Sequence, residues 1–377
     1  MTALALLALI VWSGLATSLF WLCSEREDWF EICEPDTWPE VVAVVPARNE
    51  ADVIARSLGS LAVQDYPGNF RIILVNDNSE DDTARIAFTI NSSRVEVISG
   101  APLNPGWTGK LWALSQGITG AGSPRYLWLT DADIAHAPDT LRRLVGIAEG
   151  GQCKLVSFMA ELHCRTWAER AFIPAFVYLF MMLYPFNWIN RKGPLAGAAG
   201  GCVLVERGAL EAAGGIAAIR GALIDDCALG ALMKRQGPIW LGLTHRSRSI
   251  RPYSSAGEVG AMIARSAYAQ LRYSPVILAA TVMGLVLMFG VPVGFVLFGK
   301  GLAQIAAGLA LALMMAMYQP MLRFYRLSPL WALAQPLVGA FYTGCVLWSA
   351  WQHARGRGGM WKGRAQAAAV AQGATGG

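Results

Sequence analysis

With 377 residues, 54% of them hydrophobic and 15% charged, the chain is too apolar for an ordinary soluble protein and too polar to lie wholly in a bilayer. The net charge of +5 is weakly basic, and Arg323, Arg326, Arg355, Arg357, Lys362 and Arg364 flank apolar runs, which points to anionic lipid headgroups and away from nucleic acid. Seven cysteines, at 23, 33, 153, 164, 202, 227 and 345, show no metal spacing, and their odd number argues against a full disulfide framework, leaving buried free thiols.

The chain opens on an apolar run over residues 4–23. It is too long for a signal peptide, nothing basic precedes it and no small-x-small cleavage site follows, so residues 1–24 are expected to be a membrane anchor. A lipoprotein would need small residues before Cys23, and Phe20-Trp21-Leu22 stand there instead. From residue 41 strand and helix signals alternate. Residues 41–45 predict a strand bounded by Pro46, and Asn49 offers a cap for a helix carrying Ile54, Leu58 and Leu61. Residues 71–75 predict a second strand, Asn78 and Ser79 a cap, and 81–90 a second helix. A third strand is expected over 94–98, a helix over 110–118, a buried strand over 126–130 running into Asp131-Ala132-Asp133, and a helix from near Pro138.

Such alternation predicts an α/β domain with right-handed crossovers and a mainly parallel sheet, its ligands gathered at the carboxyl ends of the strands. Asn49-Glu50, Asn76-Asp77-Asn78 and Asp131-Ala132-Asp133 each follow a predicted strand, so three polar loops should line one crevice. No G-x-G-x-x-G follows the first strand, which weakens a dehydrogenase reading. Residues 171–190 are apolar and aromatic but interrupted by Pro174 and Pro185; an interfacial segment is expected, with a core helix or a span as alternatives. Residues 276–322 and 330–351 supply roughly three further spans.

Asp131 and Asp133, two carboxylates one residue apart at a strand end, can approach a divalent metal that holds a diphosphate; a solvated turn is the bland alternative. Asp77 can accept from a base or ribose, or close an Asx-turn. Lys110, in Gly106-Trp107-Thr108-Gly109-Lys110, places a cation at a helix start suited to neutralising a departing phosphate, or is a solvated lysine. Gly200-Gly201 would let backbone approach an acceptor or sugar, though a simple turn explains them too. Asp225-Asp226 are adjacent acids in an apolar frame: one can act as general base on an acceptor hydroxyl while its neighbour tunes it, or the pair can cap a helix over 227–235. His136, His163, His245 and His353 have no metal spacing and read as polar or core residues.

In order, Val44-Val45-Pro46-Ala47-Arg48-Asn49-Glu50, Leu74-Val75-Asn76-Asp77-Asn78-Ser79, Asp131-Ala132-Asp133, Gly200-Gly201 and Asp225-Asp226 resemble the motifs of the family 2 glycosyltransferases of GT-A fold, over residues 40–275. The Gly-Trp-Thr-Gly-Lys loop and Trp361-Lys362-Gly363-Arg364 further resemble the bacterial hopene-associated branch, a relative of ceramide glucosyltransferases. The resemblance implies an inverting hexosyl transfer in which Pro46, Asn49, Glu50 and Asp77 hold the nucleotide, Lys110 and Asp131 complete the donor site, and Asp131 with Asp133 holds Mn2+ or Mg2+. It also implies that Asp226 is the base beside Asp225, with Gly200 and Gly201 near the acceptor. The family's Q-x-x-R-W motif is matched only by Gln270-Leu271-Arg272-Tyr273, a departure that leaves open its grip on diphosphate or acceptor. UDP is the favoured nucleotide, since an aspartate such as Asp77 can pair with uracil, and a hopanoid or other polyisoprenoid-type lipid is the implied acceptor.

The expected organisation is an anchor over 1–24, a GT-A domain over 40–273 with an interfacial segment at 171–190, transmembrane helices over 276–351 and a basic, flexible tail over 352–377. The expected location is the bacterial inner membrane with the catalytic domain cytoplasmic. A processive polysaccharide synthase and a degenerate membrane scaffold are the competing readings. The first is disfavoured by the altered tryptophan motif and few spans, the second by the intact acidic motifs. Three spans after a cytoplasmic domain would put the basic tail outside, against the positive-inside tendency, unless one apolar segment is re-entrant or 171–190 sits deeper.

Overall fold

The computed structural model describes residues 2–29, 31–90, 92–361 and 364–365; Lys362, Gly363 and residues 366–377 of the expected tail lie outside them. The chain forms two compact units: an α/β unit of residues 25–163, 186–252 and those from 360 on, and a helical unit of residues 1–24, 164–185 and 253–359.

The α/β unit is built on an eight-stranded sheet of β1 (Val41–Ala47), β2 (Phe70–Asn76), β3 (Val95–Ser99), β4 (Tyr126–Thr130), β5 (Ile134–His136), β6 (Leu155–Glu161), β7 (Cys202–Glu206) and β8 (Ile239–Ser249), in the order β3-β2-β1-β4-β7-β6-β8-β5. The expectation of a mainly parallel sheet holds for β3-β2-β1-β4, which are joined by crossover helices Ile54–Ala62, Thr83–Phe88 and Gly109–Gly120. Beyond β4 the sheet is mixed: β7 runs antiparallel between β4 and β6, β6 and β8 are parallel, and β5 is an antiparallel edge. The physical reason is the connection from β6 to β7, which is a long detour through the helical unit and not a βαβ crossover.

β1 is buried along its whole length, as a parallel central strand covered on both faces must be. Val41, Ala43 and Val45 on one of its faces join Ile54, Leu58 and Leu61, which recur at helical spacing on Ile54–Ala62, and the core continues through Trp128, Leu141 and Leu144. Because Ala47 pairs with Asn76, β1 and β2 end together, while Val44 opposite Leu129 makes β4 end short of them; the three polar loops emerge along one edge of the sheet.

Two expected caps are not caps. Ile54–Ala62 begins after Val53 without a side-chain cap; Asn49 instead adopts φ 51°, its N–H donating to Ser79 Oγ at 3.1 Å and its Oδ1 accepting from Glu80 N at 2.9 Å. The second helix starts at Thr83, leaving Asn78 left-handed at φ 51° and Ser79 in the loop. These side chains tie the β1 and β2 loops together, which rigidifies the edge of the crevice more than a local cap would. Arg48 adds two bonds from Nη1 to the carbonyls of Asp77 and Asn78, at 2.8 and 2.9 Å.

In the helical unit Thr2–Thr17 has 16 residues; at 1.5 Å per residue it reaches about 24 Å, against roughly 30 Å of bilayer hydrocarbon. Among the described residues four helices are long and apolar enough to cross a membrane: Trp167–Ile189, Pro275–Phe298, Leu302–Phe324 and Pro329–Ala354. The last three fall where three C-terminal spans are expected. Pro275–Phe298 contains a π-helical turn at Val286–Gly290, where the Met288 carbonyl accepts from the Trp12 indole at 2.9 Å and Phe289 meets the Trp12 ring edge-on. An irregular turn in a span is tolerable when its backbone groups find such partners.

Trp167–Ile189 differs from the other three. It lies between β6 and β7, and Leu155, Val156 and Ser157 pair with Val205, Leu204 and Val203 in one sheet. The chain therefore enters and leaves this helix on the same side of any membrane, and a single complete crossing is ruled out by connectivity. It is also broken, with Pro174 inside Trp167–Leu183 and Pro185 separating that helix from Phe186–Ile189, and 61% of its most apolar window is buried inside the protein.

Candidate active site

At the carboxyl edge of the sheet a small, solvent-open cleft gathers Pro46 after β1, Asp131 after β4, Gly200 before β7, Lys110 on Gly109–Gly120, and Asp225 and Asp226 on Asp225–Lys234. One wall is charged and the other apolar, with Leu111, Leu129, Val203, Ile216 and Leu229 buried behind the acids. That composition suits a ligand site with a few convergent polar groups.

Lys110 is the hub. Its Nζ lies 2.8 Å from Asp131 Oδ1 and 3.0 Å from Asp225 Oδ2. A lysine in the first turn of a helix opposes the macrodipole, so these two carboxylates are what holds it there. Burial alone lowers the ammonium, but Asp131 and then Asp225 outweigh it and keep Lys110 charged well above the usual amine range. Burial raises the Asp131 carboxyl, Lys110 opposes it, and Asp133 and Asp225 add repulsion; the net direction is up.

Asp225 and Asp226 begin their helix as its first two residues and are not a capping side-chain pair, the N-cap position being Ile224. Asp226 Oδ1 accepts from Cys227 N at 2.7 Å and Oδ2 from Gly200 N at 3.1 Å, so the carboxylate is fixed between two backbone donors. Burial and the neighbouring Asp225 push Asp226 up to about 6, against the lowering by Lys110. A carboxylate so poised is ionised at neutral pH yet basic enough to take a proton. Gly200 keeps this corner open: a Cβ on it would stand 3.2 Å from Lys110 Nζ and 3.3 Å from Asp226 Cβ, so one of them would have to give by a few tenths of an ångström.

Asp133 Oδ2 accepts from Arg251 Nε at 3.1 Å, and the other arm of Arg251 is ion-paired with Glu50, which is 8% exposed. Asp77 is fully buried at the end of β2, its N–H donating to the Ala47 carbonyl at 2.8 Å. Gly201 lies beneath the cleft: its carbonyl accepts from Thr130 Oγ1 at 2.8 Å. Gln270 and Arg272 belong to the helical unit, where Gln270 Nε2 donates to Tyr184 Oη at 2.6 Å and Arg272 and Tyr273 take φ 53° and 56°.

Two contributors escape sequence reasoning. Arg251 reaches Asp133 because β5 pairs antiparallel with β8, with Ile134 opposite Ser249 and Ile250 N donating to the Asp133 carbonyl at 2.9 Å. A basic residue just past a strand end was visible, but its partner depends on that non-local pairing. His136, read as an ordinary polar or core residue, is buried between Thr130 Oγ1, 2.8 Å from Nε2, and Ser247 Oγ, 2.9 Å from Nδ1. Since Thr130 gives its proton to Gly201, the network assigns the hydrogen to Nε2 and makes Nδ1 the acceptor. Burial holds this imidazole down at about 3, hence neutral. It locks together β4, β5 and β8, the strands that deliver Asp131, Asp133 and Arg251.

Asp131 and Asp133 offer two carboxylates to a divalent ion. Among the described residues no three His, Cys, Asp or Glu side chains form a ligand cluster. A hard cation that works on phosphates, however, needs only one or two protein carboxylates, the phosphate oxygens and water supplying the rest. Asp131 and Asp133 are 34% and 26% accessible at their side chains, and mutual repulsion helps raise Asp131, a strain that a cation relieves. The residues fit the ion.

Residues 42–214 match the family model described as Glycosyl transferase family 2. Among curated proteins, 4,4'-diaponeurosporenoate glycosyltransferase of Staphylococcus aureus strain bovine RF122 / ET3-1 is 37% identical over 91 residues, 24% of this chain and 23% of that one; the chain thus spans about a quarter of the length of the curated relatives it matches. Among solved structures, a mannosyltransferase of Pyrobaculum calidifontis in complex with GDP-Man and Mn2+ superposes with a TM-score of 0.55 at 18% identity, covering 93% of this chain and 99% of that one. With the mixed sheet and the cleft at its carboxyl edge, these similarities establish that residues 42–214 form a family 2 glycosyltransferase domain of GT-A fold.

Proposed function

We propose that this protein is a membrane-bound, inverting glycosyltransferase that moves a sugar from a nucleoside-diphosphate donor, UDP being favoured, to the hydroxyl of a lipid acceptor. The observation that carries the reading is the convergence of Lys110, Asp131, Asp225, Asp226 and Gly200 on one cleft at the strand ends. The Asn49 and Asp77 loops, cross-linked by Arg48 and Ser79, form a rigid shelf for the nucleoside. Lys110 stands at the diphosphate side as a fixed cation. A divalent ion on Asp131 and Asp133 would offset the charge of the departing diphosphate.

Asp226 faces the same cleft, its carboxylate oriented by Gly200 N and Cys227 N. It takes the proton of the acceptor hydroxyl as that oxygen bonds to the anomeric carbon. The bond from that carbon to the phosphate oxygen breaks on the opposite face, and the anomeric configuration inverts. Lys110 balances the charge left on the phosphate side, and Asp225, bound to Lys110, keeps ammonium and base in register. Gly201 follows Gly200, and a Cβ on it would stand 3.3 Å from Ile134 Cδ1, so its missing side chain serves packing against Ile134 and Ala160.

An apolar acceptor is supported by three helices able to cross a membrane, by Trp167–Ile189 returning to the side it left, and by similarity to an enzyme named for 4,4'-diaponeurosporenoate. A hopanoid or other polyisoprenoid-type lipid is the acceptor we favour, with the α/β unit on the cytoplasmic face of the inner membrane, where nucleotide sugars are available. The test is transfer by detergent-purified protein from a panel of UDP- and GDP-sugars, with Mn2+ or Mg2+, to a bacterial lipid extract. A metal-dependent new glycolipid is expected. No turnover or binding with any nucleotide sugar would sink the reading and favour a scaffold.

A further inference from the structure

Each carboxylate of the Asp131-Ala132-Asp133 pair holds a cation of the chain's own. Lys110 Nζ is 2.8 Å from Asp131 Oδ1, and Arg251 Nε is 3.1 Å from Asp133 Oδ2 while its other arm grips Glu50. Neither contact is a local accident. Lys110 sits against the dipole of its own helix, and Arg251 is brought in by the pairing of β5 with β8. A divalent ion seated on both aspartates would have an ammonium and a guanidinium as its nearest neighbours in a cleft where screening by water is reduced. A nucleoside diphosphate reverses the balance. Its oxygens can accept from Lys110 and Arg251 and add ligands to the ion, so both cations gain partners when they release the carboxylates.

We propose that Lys110 and Arg251 gate the metal: they occupy Asp131 and Asp133 in the donor-free protein and hand those carboxylates over only to an ion that arrives with a nucleoside diphosphate. Order of binding follows, with free ion excluded and ion plus donor accepted. This rests on the reading of the cleft as a nucleotide-sugar site. It assigns Arg251 a positioning role and gives Lys110 a second task before it meets phosphate.

The experiment is a titration of Mn2+ into detergent-purified full-length protein, followed by electron paramagnetic resonance of the free ion, without nucleotide and with UDP or GDP. Wild type is expected to bind Mn2+ at least about tenfold more weakly without nucleotide than with it. Arg251→Gln and Lys110→Gln should each bind nucleotide-free Mn2+ about fivefold or more tighter than wild type, and each should lose affinity for the nucleotide. A merely structural role for either residue predicts loss of metal binding, the opposite sign. Removing Arg251 leaves the buried Glu50 without this partner, so Lys110→Gln, at a side chain 18% accessible, keeps the test valid if Arg251→Gln does not fold. Equal Mn2+ affinity with and without a nucleotide that binds, or unchanged nucleotide-free affinity in the folded variants, would overturn the gate alone. Failure of UDP and GDP to bind with Mn2+ at all would overturn the donor site and the gate with it.

Discussion

The two units of the molecule treat their apolar side chains in opposite ways. In the α/β unit β1 is buried end to end, Trp128 is fully enclosed and the polar side chains collect at one edge of the sheet. In the helical unit Val276 is 77% and Phe298 84% exposed, on a helix of mean hydropathy 2.4. Surfaces of that kind would aggregate in water, and they are what a helix presents to lipid tails. The difference teaches where each unit's specificity resides: in charge placement for the first, in close helix contact for the second. Packing there depends on small residues, as where Ala5 meets Ala303, Ala306 and Ala307.

The contrast breaks most severely at the base. Asp226→Asn should lower kcat by about a thousandfold or more with nucleotide binding retained; because both carboxylate oxygens accept from backbone N–H groups, the new amide also faces one of those donors with its own N–H, so a loss of about 1 kcal/mol in stability is expected beside it; retained turnover would dismiss Asp226 as the base. Next in size is Gly339→Leu in the helical unit. A Cβ there would stand 2.4 Å from Phe289 Cβ, so about 2–3 kcal/mol of stability should be lost through overpacking, measured as thermal unfolding in detergent. An unshifted transition would mean that these helices are not packed this closely.

The pH dependence is a smaller effect. With Asp226 raised to about 6, its base form is present above that value and is lost as pH falls through it. The acid limb of kcat/KM should therefore bend near pH 6, with roughly a tenfold loss by pH 5. A limb near 4 would show that neither burial nor Asp225 raises the group in the working enzyme. Smallest of all, Phe298→Ala should shift stability in detergent by less than about 0.5 kcal/mol, because the ring has few protein neighbours to lose. A large loss would reveal that a partner covers this face.

Much of this contrast was legible before any coordinates. Regular alternation made β1 to β4 and their helices readable within a residue or two at most ends, and of the acids placed directly after strands Asp131 lines the cleft. The reversed strands β5 and β7 were not legible, because antiparallel pairing at a distance of tens of residues leaves no periodic mark. Arg251 was missed for the same reason: its role exists only once β8 lies beside β5. Asn49 and Ser79 looked like helix caps because the same side chains that cap helices also bridge loops, and only the three-dimensional neighbour decides between them. The segment 171–190 carried two conflicting signals, apolarity and prolines. The pairing of β6 with β7 on either side of it adds a constraint of connectivity, which composition does not contain.

The central claim is a single displacement in one cleft, with Asp226 as the proton acceptor and no enzyme nucleophile. It is tested most directly by the anomeric configuration of the transferred sugar, read by NMR from the proton coupling of the isolated product. An α-linked nucleotide sugar should yield a β-linked glycolipid. A product that keeps the α configuration would contradict the account, since it would require a different chemistry from the one this cleft is argued to perform.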